Sequence, residues 1–226
     1  KMKKNNIAII LARAGSKGVK NKNVYKLNKM PLIYWSIKSC LKANMISSVW
    51  VSSDSNKILK LSRKYGANII KRPKRISGDY STSEAAWHHA LTYLRNKIKK
   101  IDAVVGIQPT SPIRPFNLLN TSIKKFYREK LDSLFTAQKI SDHFIWRKSR
   151  GKYHANYNYN KRPMRQKIEE RYLENGSFYI FNPDKFLRKR CRLFGKIGCL
   201  TMSKIQSFQI DDSQDIELFK NLRRYL

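Results

Sequence analysis

A short apolar run, Ile7-Ala8-Ile9-Ile10, delivers the chain into Leu11-Ala12-Arg13-Ala14-Gly15-Ser16-Lys17-Gly18-Val19-Lys20-Asn21-Lys22-Asn23, a loop whose residue types can grip phosphate. Arg13, Lys17 and Lys22 are cationic donors for phosphate oxygens, and Gly15 and Gly18 are read as permitting positive φ and close backbone approach. The spacing is neither G-x-G-x-x-G nor G-x-x-x-x-G-K-[ST], so neither dinucleotide-binding nor ATPase chemistry is indicated. A basic surface turn is the plain alternative in so lysine-rich a chain. Position favours the ligand: open α/β sheets bind at the carboxyl ends of their strands, where this loop sits.

Other clusters fall at similar places. Gln108-Pro109-Thr110-Ser111-Pro112-Ile113-Arg114 follows the apolar run Ala103 to Ile107, with prolines fixing the turn and Gln108 and Thr110 offering uncharged hydrogen-bonding groups. Arg72-Pro73 follows a run ending at Ile70, and Ser81-Thr82-Ser83 precedes Glu84 at the start of a helical pattern, suited to an anion, a nucleobase edge or simple capping. Arg162-Pro163-Met164-Arg165-Gln166 supplies guanidinium forks for a carboxylate. Glu174-Asn175-Gly176-Ser177 reads as a turn before the strand Phe178 to Phe181. In Ile210-Asp211-Asp212-Ser213-Gln214-Asp215 a strand hands over to a final helix. There Asp212 can cap, and Asp211 can hold a hard cation such as Mg²⁺.

Positioning these groups requires a sheet. Runs at Ile7 to Leu11, Val49 to Val51, Ala67 to Ile70, Ala103 to Ile107, Ser133 to Ala137 and Phe178 to Phe181 alternate with segments of helical spacing, such as Ile33, Ile37, Cys40 and Leu41. The alternation predicts βαβ units in an α/β fold, a three-layer doubly wound and mostly parallel sheet, spanning residues 1–226 as one domain. Between Gln138 and Glu174 the sequence turns Tyr-, Asn- and Arg-rich with weak periodicity, which predicts an inserted arm. The segment 81–100 and the tail from Asp212 to Leu226 are expected helices.

Composition narrows the classes. The 226 residues, 41% of them hydrophobic, can bury a core, and no run approaches the length of a membrane span. A soluble cytoplasmic protein with no membrane partner is expected. Cys40, Cys191 and Cys199 form no C-x-x-C pair and argue against a disulfide framework or a zinc site. The net charge of +33, from 48 basic and 15 acidic residues, would ordinarily suggest nucleic acid. Its dispersal in doublets over every segment reads instead as a solvated surface that attracts anionic substrates. A basic nucleic-acid-binding protein stays the rival of another class, predicting salt-dependent duplex binding without turnover.

The motifs, in this order, resemble the acylneuraminate cytidylyltransferase family, the CMP-sialic acid synthetases and their bacterial relatives. The likeness runs end to end: A-R-x-G-S-K-G-x-x-x-K-N through Asn23, R-P at Arg72-Pro73, Q-P-T-S-P-x-R at Gln108 to Arg114, R-Q at Arg165-Gln166, E-N-G-S-F-Y at Glu174 to Tyr179, and I-D-x-x-x-D at Ile210 to Asp215. CMP-KDO synthetases look different in the first loop, carrying an S-x-R-x-P-G-K-P-type sequence that is missing here.

That resemblance implies transfer of CMP from CTP to the anomeric hydroxyl of a nine-carbon 2-keto acid sugar, with Mg²⁺ as cofactor and pyrophosphate released. It assigns Arg13, Ser16, Lys17 and Lys22 to the triphosphate, with Lys17, Lys22 and Arg13 catalytic, and Asn23, Arg72 and Ser83 to the cytidine. Gln108 is assigned to the sugar, Arg165 to the acceptor carboxylate and Asp211 to the metal. The segment 138–174 resembles the family's dimerisation arm and implies a homodimer, with Arg147 and Lys148 candidates for a basic residue near the sugar. One position departs from the pattern: Gln209 stands where relatives carry the first Asp of D-x-D. The metal shell is then completed by Asp212 or Asp215, or by phosphates and water. A nucleotidyltransferase of the same fold acting on KDO or a phosphorylated sugar is the alternative within enzymes.

Overall fold

A computed structural model describes residues 4–16, 18–140 and 144–226, with the backbone alone at Arg165 and Arg223. Its strands are β1 (Asn6–Leu11), β2 (Lys26–Leu27), β3 (Met30–Pro31), β4 (Ser48–Ser53), β5 (Asn68–Lys71), β6 (Ala103–Ile107), β7 (Ser133–Ile140), β8 (Trp146–Ser149), β9 (Lys152–Ala155), β10 (Arg171–Phe181) and β11 (Ile197–Met202). The helices are α1 (Leu32–Lys42), α2 (Asn56–Lys64), α3 (Ser83–Arg95), α4 (Phe116–Arg128), α5 (Pro183–Lys189) and α6 (Ser213–Leu222). Seven strands form one sheet in the order β11-β7-β10-β6-β1-β4-β5. All its pairings are parallel except those of β10, which runs against both neighbours.

The pleat sends alternate residues of a strand to opposite faces, and β1 shows the result. Ala8 and Ile10 join the core shared with Ile33 and Ile37 of α1 and Leu119 and Ile123 of α4, whereas Ile7, Ile9 and Leu11 meet Trp87 and Leu91 of α3 and Phe186 of α5. Both faces are covered, which explains why the central strands read as unbroken apolar runs rather than alternating ones. Trp87 anchors the second face, edge-on to Phe181 at 5.6 Å, and its indole N–H donates to the Ile9 carbonyl at 3.4 Å. A smaller core under α6 joins Phe219 to Trp35, Ile113 and Ile210. It pins the last helix against the loop that follows β6.

The six expected strands are present. Absent from the sequence reading are β11, α4 and α5, together with the hairpins β2-β3 and β8-β9. The expected turn at Glu174 to Ser177 is corrected: these residues lie inside β10. The register against β7 shifts between Glu174 and Tyr179, with Gly176 at φ 62. A bulge takes up the extra residues, and the left-handed backbone at its centre is what glycine supplies there. Residues 146–155 form a two-stranded ribbon outside the main sheet, and its strands are exposed at nearly every position. Among the described residues no helix is long and apolar enough to cross a membrane.

Candidate active site

The loop after β1 is anchored where it leaves the sheet. Ala12 N–H donates to the Ser52 carbonyl at 3.0 Å and Ala14 N–H to Asp54 Oδ1 at 2.9 Å, so the loop leaves the sheet clamped to the end of β4. Asn23 is buried and its amide donates to the Arg13 carbonyl at 2.9 Å, closing the loop on itself. Gly18 is needed for a reason other than positive φ. Neither it nor Gly15 adopts positive φ; the left-handed residue is Asn21 at φ 58. A Cβ on Gly18 would stand 2.0 Å from the Asp211 carbonyl oxygen, whereas Gly15 has open space. The expectation of positive φ is therefore corrected, and close approach holds at Gly18 alone.

Lys22 makes that approach productive. Its Nζ donates to the Ile210 carbonyl at 2.9 Å and to Asp211 Oδ1 at 2.9 Å, and lies 3.4 Å from the Asp211 carbonyl. The first loop and the 210–211 segment, 188 residues apart in sequence, are thus one wall. Ile210 N–H in turn donates to the Thr110 carbonyl at 2.9 Å, joining the loop after β6 to the same wall.

Arg72 stands across from it. Its backbone N–H donates to the Ser53 carbonyl at 2.8 Å, its side chain is buried, and its Nε has no hydrogen-bond partner. Burial lowers its pKa; the nearby Asp54 opposes this and Arg13 adds to it. Arg13 itself pairs with Asp79 at 2.6 Å. Arg72 lines the cavity while its Nε stays buried and unpaired, and an unpaired buried donor carries the full cost of its desolvation. Ser83, in the first turn of α3, accepts from Gln108 Nε2 at 3.2 Å, while Thr82 caps the helix by accepting from Ala85 N–H at 3.2 Å.

One residue mattered more than the sequence suggested. Arg114 is fully buried, with Nε donating to Ser177 Oγ at 3.0 Å, one terminal nitrogen to Ser36 Oγ at 3.2 Å, and the other to the carbonyls of Gln108 at 2.8 Å and Ser177 at 2.9 Å. Burial pulls its pKa down to about 10, so it stays charged at neutral pH. Its donors fix the Gln108 backbone against the β10 bulge. An arginine closing a proline-rich turn directly after a buried strand was the available signal.

The acidic cluster divides its labour. Asp212 Oδ1 accepts from the N–H groups of Gln214 at 2.8 Å and Asp215 at 3.0 Å, and Asp215 Oδ2 accepts from those of Asp211 at 2.7 Å and Asp212 at 3.0 Å. This is a reciprocal capping box on α6. Asp212 and Asp215, the two carboxylates expected to stand in for the missing one in a metal shell, each commit one oxygen to the helix N-terminus. Gln209 faces elsewhere, its amide donating to the Asn175 carbonyl at the bulge. Among the described residues no group of three or more His, Cys, Asp or Glu could hold a metal ion. Among the described residues Asp211 is the one carboxylate lining the cavity. A single carboxylate fits Mg²⁺, which keeps several waters and takes its remaining ligands from substrate phosphates, and fits no all-protein metal cage.

Around these groups lies a cavity of about 360 Å³ at the carboxyl ends of β1, β5 and β6. Arg13, Ser16, Lys22, Asn23, Arg72, Ser83, Gln108 and Asp211 all line it, brought together from five separated stretches. Lys17 lies outside the described residues. Arg165 opens a 3-10 turn over Arg165–Lys167 on the arm, where only its backbone is described, and Arg147 and Lys148 lie on exposed β8.

Comparison with known proteins bears on what such a cavity holds. A family model described as cytidylyltransferase matches residues 7–225. N-acylneuraminate cytidylyltransferase A of Danio rerio is 33% identical over 178 residues, covering 76% of this chain and 40% of that protein. Pseudaminic acid cytidylyltransferase of Campylobacter jejuni is 28% identical over 222 residues, covering 96% and 95%. The chain thus spans about two fifths of the length of the fish relatives it matches. A solved CMP:2-keto-3-deoxy-manno-octonic acid synthetase complexed with CTP superposes with a TM-score of 0.72 at 14% identity, covering 97% of this chain and 98% of that one, a likeness of fold.

Proposed function

This chain belongs to the cytidylyltransferase family, and on that footing we propose that it transfers CMP from CTP to the anomeric hydroxyl of a nonulosonate, releasing pyrophosphate. The observation that carries the reading is the single cavity shared by Arg13, Ser16, Lys22, Asn23, Arg72, Ser83, Gln108 and Asp211. The triphosphate lies along Arg13, Ser16, Lys17 and Lys22, and the cytidine along Asn23, Arg72 and Ser83. The acceptor oxygen forms its bond to the α-phosphorus as the bond to the bridging oxygen of pyrophosphate breaks. Negative charge grows on the leaving group, where Lys17, Lys22 and Arg13 stabilise it.

Mg²⁺, held by Asp211 and the substrate phosphates, neutralises part of the triphosphate charge when bound. CTP has to displace or share Lys22, which the Asp211 carboxylate otherwise holds. Gln108, set by Arg114 through its own carbonyl, orients the sugar, and Arg165 pairs with its carboxylate. Holding acceptor and α-phosphate in contact contributes several kcal/mol through orientation alone. The aromatic arm joins two copies into a homodimer: Trp146 stacks on Tyr159 at 5.7 Å, both rings are about half exposed, and Phe144 lies beneath the Arg162 guanidinium at 4.1 Å.

The acceptor is a sialic-acid-like sugar, and relatives named for N-acylneuraminate and for pseudaminic acid bracket the choice. The test is pyrophosphate release from CTP, with and without Mg²⁺, across N-acetylneuraminate, legionaminate, pseudaminate and KDO. Turnover with a nine-carbon acceptor and not with KDO is expected. Turnover with KDO alone, or with none of them, would overturn the assignment.

A further inference from the structure

A second, larger cavity of about 720 Å³ lies on the outer side of α3. It shares Ile76 and Thr82 with the first, but none of the first cavity's cations. Its own come from three elements: Arg75 from the 3-10 turn Lys74–Ile76, His88 and His89 from α3, and Arg190 from the end of α5. Arg190 sits at φ 50, uncommon for a residue with a side chain, and its N–H is tied to the Phe186 carbonyl at 2.7 Å. That backbone sets the arginine at the cavity wall.

The cavity has donors and no free anion. Its one carboxylate, Glu84, is taken on both oxygens by Arg192, at 2.5 and 3.0 Å. Neither Arg75 nor Arg190 has a carboxylate within ion-pair distance among the described residues. His89 Nδ1 is buried and makes no hydrogen bond within the protein. Burial, then Arg72, Arg75 and His88, hold this imidazole below its usual pKa, the condition expected of a histidine among cations. A bound phosphoryl group would reverse it by supplying acceptor oxygens to both imidazoles and both guanidiniums. The ring of Tyr93 and the side chains of Ile76 and Ala85 give the rest of the wall an apolar face, so the room beyond a phosphate suits a sugar or a comparable ring.

We propose that this second cavity is a binding site for a small phosphate ester, separate from the nucleotide cavity. The experiment follows the imidazole resonances of His88 and His89, assigned with His88→Gln and His89→Gln, in the full chain at physiological salt. Ribose 5-phosphate is titrated as probe, with ribose and inorganic phosphate as comparison arms and His154, on exposed β9, as the reporter of diffuse anion binding.

Saturable shifts of His88 and His89 with ribose 5-phosphate, none with ribose and none at His154 are expected. Arg75→Gln together with Arg190→Gln, two exposed positions, should weaken the titration tenfold or more. Inorganic phosphate binding more weakly than the ester supports a ring subsite, and equal binding supports the phosphoryl group as the whole ligand. Shifts that merely parallel His154, or a double variant that titrates like the parent, would overturn the site. Either failure leaves the first cavity's assignment untouched, because its cations are different ones.

Discussion

The first loop and the arm are both basic, aromatic or polar stretches with little periodicity, yet they are built in opposite ways. In the loop, Ala12, Ala14 and Lys22 bond to distant main-chain or carboxylate partners, Gly18 packs against the Asp211 main chain, and Asn23 ties the loop to itself. In the arm, Trp146, Tyr157, Tyr159 and Phe144 hold mainly one another. Preorganised donors stabilise developing charge without reorganising at the moment of reaction, which is what the phosphate role proposed for the loop requires. An exposed aromatic cluster with few long-range ties suits the partner surface proposed for the arm, where association would supply the missing contacts.

The largest expected effect breaks the loop side. Lys17→Ala should lower kcat by roughly a thousandfold or more while the melting temperature stays near the parent's, since one phosphate-directed charge is worth that much where charge develops. Pyrophosphate release and a thermal melt check it together. Near-normal turnover in the folded variant would remove Lys17 from the machinery.

Next in size is the arm's own contribution to the site. Arg165→Ala should raise the acceptor KM by roughly ten- to a hundredfold, the worth of a charge-assisted hydrogen bond, with little change in the KM for CTP. Equal effects on both substrates would instead place Arg165 with the nucleotide, and the division between rigid loop and arm would blur. Replacing Trp146 and Tyr159 together by Ala should shift the dimer dissociation constant upward by about tenfold or more, read by equilibrium sedimentation. An unchanged association state would leave these rings without a partner role.

How much of this was legible in the sequence follows the same division. The buried strands β1 and β6 read directly, because a two-sided apolar environment writes continuous runs such as Ala103 to Ile107. Strand β11 did not, since Ile197–Met202 lies beside β7 alone, with intermediate exposure along much of its length and a glycine in it. Helix α4 has an apolar stripe of helical spacing in Leu119, Ile123 and Phe126, but it starts straight after Pro115 with no side-chain cap and no acidic residue in its first turn, so no local signal marks its beginning. The eight residues that line the first cavity were singled out partly by type and position and partly by the family resemblance. Their pairing was not: that Gly18 and Lys22 close on the 210–211 main chain is a contact across nearly the whole chain, and no local pattern encodes it.

The smallest effect tests the finest distinction within the acidic cluster, between Asp211 and its neighbour Asp212. Asp212 serves α6 through two backbone N–H groups, and its loss should cost about 1 kcal/mol of stability, the usual worth of an N-cap carboxylate. Asp212→Ala should therefore lower the denaturation midpoint while the dependence of turnover on Mg²⁺ concentration stays unchanged. Asp211→Asn should do the reverse, because its carboxylate faces the cavity and Lys22 rather than the helix. The amide retains the volume and removes the charge, so stability moves little and the Mg²⁺ concentration for half-maximal rate rises. If Asp212→Ala shifted the metal dependence as far as Asp211→Asn, the capping carboxylate would be reaching the phosphates after all. The proposed one-carboxylate Mg²⁺ site would then give way to a two-carboxylate one.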